Sequence, residues 1–169
     1  MRKKIISVVC FLLAVFVSHG IAADSAPFFF LQLSDPQFGF IDNNKSISAE
    51  TEAMNKAVTA INQLKPPFVV ITGDFVNNSK SKEQIAAYKS MIAQIDSSVK
   101  VYMIPGNHDI GKVSRASIDN YKKNYGETHF SFRYGDCTFI GIDSNIIKEE
   151  DKEREDCLLY TSPRPRDCS

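Results

Sequence analysis

Three short apolar runs, each closing on a cluster of polar donors, constrain this chain more than any other feature. Phe28-Phe29-Phe30-Leu31-Gln32-Leu33 runs into Ser34-Asp35-Pro36-Gln37. Phe68-Val69-Val70-Ile71-Thr72 runs into Gly73-Asp74, and Val101-Tyr102-Met103-Ile104 into Pro105-Gly106-Asn107-His108-Asp109. Short, solidly apolar runs read as strands covered on both faces. Parallel strands in an open α/β sheet deliver their carboxyl ends to one edge, where sites form. Asp35, Gln37, Asp74, Asn107 and His108 are therefore expected in one place.

The segments between the runs have helical character. Ser48 reads as an N-cap, and Ala53, Met54, Ala57, Val58, Ile61 and Leu64 then recur at helical spacing until Pro66-Pro67 stops them. A second helix is expected from Lys82 to about Ile95, and a third from Ser117 to Tyr125, ended by Gly126. The pattern then changes to two strands, His129–Tyr134 and Cys137–Asp143, joined by the hairpin turn Gly135-Asp136. The charged segment 148–156 could open a solvated helix. The order describes an α/β domain with a mainly parallel sheet and an antiparallel addition.

A chain of 169 residues suits one domain, and 20 basic against 20 acidic residues argue against a nucleic-acid surface or a polybasic membrane patch. The first 22 residues read as a secretory signal rather than as fold. Arg2-Lys3-Lys4 precedes the apolar stretch Ile5–Val17, and Gly20-Ile21-Ala22 supplies small residues for cleavage. The stretch is shorter than the ~20 residues a bilayer span needs, so no stable membrane anchor is expected. The reading is an exported protein, periplasmic or extracellular. Removal of the signal would leave 17 basic against 20 acidic residues and three cysteines, Cys137, Cys157 and Cys168. An odd count is no disulfide framework, and Cys137 reads as a small buried apolar residue. Residues 157–169 continue no periodic pattern and carry two prolines, so they read as a disordered or extraneous tail.

An aspartate or a Gly-Asp pair after a strand is by itself an ordinary turn. Taken together, carboxylates, amide oxygens and an imidazole suit hard or borderline divalent metals. Asp109 could hold the His108 ring in one orientation. With these residues in view, Ser34-Asp35-Pro36-Gln37, Gly73-Asp74-Phe75-Val76-Asn77 and Gly106-Asn107-His108-Asp109 resemble the first three signature motifs of the calcineurin-like metallophosphoesterases. Asp35-Pro36-Gln37-Phe38-Gly39 with Gly-Asn-His-Asp-Ile-Gly resembles the branch called complete serine/threonine phosphatase, or calcineurin-like phosphoesterase domain-containing protein.

The resemblance covers residues 28–156 and implies a four-layer αββα sandwich, here truncated at its C-terminal side. It implies two divalent ions (Mn, Fe, Zn or Mg) and a phosphorylated substrate, either a small molecule or a phosphoprotein. Asp35 and Gln37 would bind the first metal, Asp74 would bridge both, and Asn107 would bind the second. A metal-bridging hydroxide would attack phosphorus, with His108 at the leaving group and Asp109 orienting it. The chain departs from the family at Gln37, where the family has histidine; an amide oxygen there implies a looser first site or a harder ion. The family's later Gly-His and Gly-His-x-His are also absent, since the histidines are His19, His108 and His129. A phosphomonoesterase or phosphodiesterase, inactive as this piece alone, is thus the first expectation. The alternative is a non-catalytic exported metal- or ligand-binding module of the same fold. Missing later strands would leave apolar surface and a strand edge open.

Overall fold

A computed structural model describes residues 26–148. The signal segment and the tail lie outside the described residues, as does most of the charged segment after Lys148. The elements run β1 (Leu31–Ser34), α1 (Ser48–Leu64), β2 (Phe68–Thr72), α2 (Lys82–Ile92), β3 (Lys100–Ile104), α3 (Asn107–Ile110), α4 (Arg115–Tyr125), β4 (Phe130–Tyr134), β5 (Cys137–Gly141) and α5 (Ser144–Lys148). β1, β2 and β3 form a parallel sheet in that order, and β4–β5 an antiparallel hairpin.

The sheet has two differently dressed faces, as the two-residue strand period requires. Leu31, Leu33, Val69, Ile71, Val101 and Met103 join the core beneath the helices, with Met54, Val58 and Ile61 of α1, and Tyr88 and Met91 of α2. The opposite residues meet the hairpin through aromatic rings. Tyr102 stacks on Phe132 at 3.8 Å between centroids, and Phe68 meets Phe139 edge-on at 4.9 Å. Burying one such aliphatic or aromatic side chain contributes about 1.5–3 kcal/mol, so both faces add substantially to stability. Helices, parallel sheet and hairpin are three successive layers of an α/β sandwich. On β5 and just after it, Ile140 and Ile142 are 67% and 61% exposed.

Several local expectations need correction. Phe28-Phe29-Phe30 precedes the β1 ladder instead of belonging to it, because Phe28 and Phe30 turn toward the hairpin rings. The α1 N-cap is Ile47, and its side chain cannot cap; the Ser46 hydroxyl instead accepts from the Ser48 amide at 3.1 Å. α2 ends at Ile92, with Ile95 buried in the turn beyond it. α4 begins two residues before the expected start, where Ser114 accepts from the Ser117 amide. His129 lies just before β4, and β5 stops at Gly141. Cys137 is exposed, not buried: it shares the inward parity of Phe139 but sits at the turn, past the packed rings.

A candidate metal centre at one sheet edge

Register explains why the three loops meet. Ser34 pairs with Thr72, and Thr72 with Ile104, so the strands end level and their loops leave from one line. The loops are then laced together by their own backbones. The Gln37 amide donates to the Asp74 carbonyl at 2.8 Å, and the Gly73 amide to the Ile104 carbonyl at 2.9 Å. The Phe38–Val76 bridge extends the pairing beyond β1 and β2.

The backbone at this edge is strained where the donors sit. Asp35, Gln37 and Asp74 have φ of 52°, 33° and 36°. Left-handed backbone at non-glycine residues costs of order 1 kcal/mol or more each and persists only where the surroundings enforce it. Gly73 takes φ 72°, which a side chain would resist. Gly106 is needed for closeness, since a Cβ there would collide with the Asp74 carboxylate.

Asp74 is buried, and its Oδ1 accepts from the His108 amide at 2.8 Å. Asp35 and Asn107 are exposed, while Gln37 and His108 are half-buried. The Ser34 hydroxyl donates to Asp35. The Gln37 amide nitrogen donates to Asn77 Oδ1 at 3.4 Å, leaving the Gln37 side-chain oxygen for another partner.

The orienting role read for Asp109 is not what the geometry shows. Its carboxylate is 1% exposed and lies beneath the loops. Oδ1 accepts from the Phe75 and Val76 amides at 2.8 and 3.2 Å, and Oδ2 from the Gly106 amide at 2.9 Å. Burial pushes this carboxyl up to about 7, against the three backbone donors that favour its charged form. Asp109 is thus a brace tying the second loop to the third. His108 is oriented instead by Asn77, whose carbonyl lies 2.9 Å from Nδ1. A carbonyl only accepts, so Nδ1 carries the proton and Nε2 remains for an incoming group.

Asn77, given no role by its place at the end of the second motif, connects the site loops. Its side chain links Gln37 to Asn44, its carbonyl holds His108, and Asn44 in turn accepts from Gln84 at 2.8 Å. The signal available was a polar residue three positions after Asp74, which also describes many ordinary turns. The one-turn α3 was missed as well; four residues are too few for periodicity to register.

The donor chemistry fits a hard or borderline divalent ion: two carboxylates, Asp35 and Asp74, with the oxygens of Gln37 and Asn107. The absent Cβ at Gly106 lets the third loop lie directly against the Asp74 carboxylate, so the second and third motifs meet at this donor. Among the described residues, no group of three or more His, Cys, Asp and Glu is placed to hold a metal, so amides carry half of this set.

A layered α/β sandwich with polar donors on three consecutive strand ends defines the class. A model of the calcineurin-like phosphoesterase family matches residues 30–158, and the chain belongs to that family. The serine/threonine-protein phosphatase CPPED1 of Bos taurus is 32% identical over 137 residues, 72% of this chain and 44% of that protein. The probable glycerophosphodiester phosphodiesterase GpdQ of Arcobacter nitrofigilis is 31% identical over 99 residues, 56% of this chain and 35% of that protein. A dimetal phosphatase from Danio rerio shares the fold at a TM-score of 0.57 and 18% identity, over 80% of this chain and 51% of that one. The chain spans about half the length of the curated relatives with most overlap.

Proposed function

We propose that the complete protein is a metal-dependent phosphoric ester hydrolase acting on phosphomonoesters or phosphodiesters, whether small molecules or phosphoproteins. The observation that carries this reading is the level ending of three parallel strands, which gathers Asp35, Asp74, Asn107 and His108 at one edge. The named activities of the relatives support it, as phosphatase and as phosphodiesterase.

Asp35 and Gln37 would hold a first ion, Asn107 a second, and Asp74 both. Divalent ions bound there would supply an attacking oxygen at neutral pH and offset phosphoryl charge. The chain's own part is positioning and proton handling. Asp74 is held from one side by the His108 amide, which leaves its second oxygen free of that bond. His108, as an imidazolium with Nδ1 donating to the Asn77 carbonyl, would donate its second proton from Nε2 to the leaving oxygen or to a phosphoryl oxygen. The N-terminal pattern of Arg2-Lys3-Lys4, the apolar stretch and Gly20-Ile21-Ala22 supports export. Among the described residues, no helix is long and apolar enough to cross a membrane.

The test is hydrolysis of p-nitrophenyl phosphate by the complete protein. Chelation should abolish it and Mn²⁺ restore it. His108→Asn should lower kcat by about 10²–10⁴-fold. Asp74→Asn should remove both turnover and metal binding; turnover surviving that change rejects the reading.

A further inference from the structure

A groove of about 940 Å3 opens between α2 and α4, on the side of the sheet away from the hairpin. Lys80, Lys82, Lys89, Lys112 and Lys123 line it, all exposed, and no Asp or Glu does. That is a sorted distribution in a chain whose basic and acidic residues balance at 20 each. None of the five pairs with a carboxylate among the described residues, whereas Lys56, Lys65 and Lys122 do. Ile85 and Ala86 of α2 and Ile110 supply apolar lining between the lysines. Lys80 lies three residues past Asn77, and Lys112 four past His108, so the groove begins where two of the site loops end.

We infer that this groove docks an acidic peptide segment carrying interspersed apolar side chains. Five unpaired ammonium groups with apolar lining between them match that chemistry: carboxylates for the lysines, aliphatic groups for the lining. The concavity favours a chain segment over a flat lipid surface, which could reach the rim but not Ile85 and Ile110. The inference stands apart from catalysis, because it is read as binding.

The test uses the full chain and a fluorescein-labelled peptide of glutamates interspersed with leucines, followed by anisotropy. Binding should appear at low salt and weaken toward physiological salt, where the Debye length is about 8 Å. The double variant Lys82→Glu with Lys123→Glu should raise Kd roughly tenfold or more, since each site loses an attraction and gains a repulsion. A control with the same net charge, Lys45→Glu with Lys100→Glu, should stay within about twofold, because those exposed lysines lie outside the groove. Equal weakening by both variants would overturn the inference in favour of overall charge. Absence of binding would overturn it too. Co-sedimentation with phosphatidylserine vesicles, abolished by the groove variant while the peptide does not bind, would replace it with a membrane surface.

Discussion

The same three loops have an underside and a mouth, and the two are built in opposite ways. Underneath, every contact is internal. Asp109 takes three backbone amides, and Phe75 is wedged between helices, stacked on Tyr88 at 4.8 Å and edge-on to Tyr125 at 5.2 Å. At the mouth, Asp35 and Asn107 face solvent, and the backbone is held at positive φ at Asp35, Gln37 and Asp74. The contrast teaches where the rigidity comes from. Of the three strained residues, Gln37 and Asp74 share one backbone bond at the mouth; the buried Asp109 carboxylate ties the second loop to the third from below.

Breaking the underside should therefore cost far more than stripping the mouth. Phe75→Ala should cost the most, about 3–5 kcal/mol, because a fully buried ring between two helices leaves a cavity. Asp109→Ala should follow at about 2–4 kcal/mol. It orphans three amides at about 1–3 kcal/mol each, partly offset by no longer burying a carboxyl. Urea unfolding of each variant checks both values. Asp35→Ala should cost no more than about 1 kcal/mol, because the side chain is exposed and only the φ of 52° favours aspartate over alanine. If Asp35 holds an ion as proposed, Mn²⁺ should raise the Tm of the parent protein and fail to raise that of the variant. An Asp35→Ala variant as unstable as Asp109→Ala would erase the distinction between mouth and underside.

The mouth was far more legible in the sequence than the underside. The strand ends could be read because apolar runs, glycine and proline punctuate the chain locally. Parallel register then brings the loops that carry Asp35, Gln37, Asp74, Asn107 and His108 to one edge. The partners of Asp109 lie 33 and 34 residues back, and they are backbone amides, which look alike at every position. Nothing local distinguishes a brace from an imidazole partner one residue away. Asn77 was hidden for the same reason: its role depends on Asn44 and His108, each more than 30 residues distant. The hairpin was legible from Gly135-Asp136 and its flanking strands, but the exposure of Cys137 depends on where the opposing rings stop.

The underside also reaches α5, where the expected effect is small and depends on pH. Asp143 is 3% exposed; its Oδ1 accepts from the Asn145 amide and side chain, and Asn145 in turn reaches the Pro105 carbonyl at 3.3 Å. Its Oδ2 is buried with no partner among the described residues. Burial raises this carboxyl above its ordinary value, outweighing the Asn145 donors and nearby His129. A folded pKa above the unfolded one means the fold holds the proton more tightly. The group's stabilisation is then full below the unfolded value near ~4 and is lost as pH rises through the folded value. Asp143→Asn keeps the Oδ1 acceptor and removes the buried charge. It should therefore be more stable than the parent at pH 8, by up to about 1 kcal/mol, with the gap closing toward pH 4. Urea melts of both proteins across that range measure it. A gap independent of pH would assign the effect to the cap of α5 and not to burial of the charge.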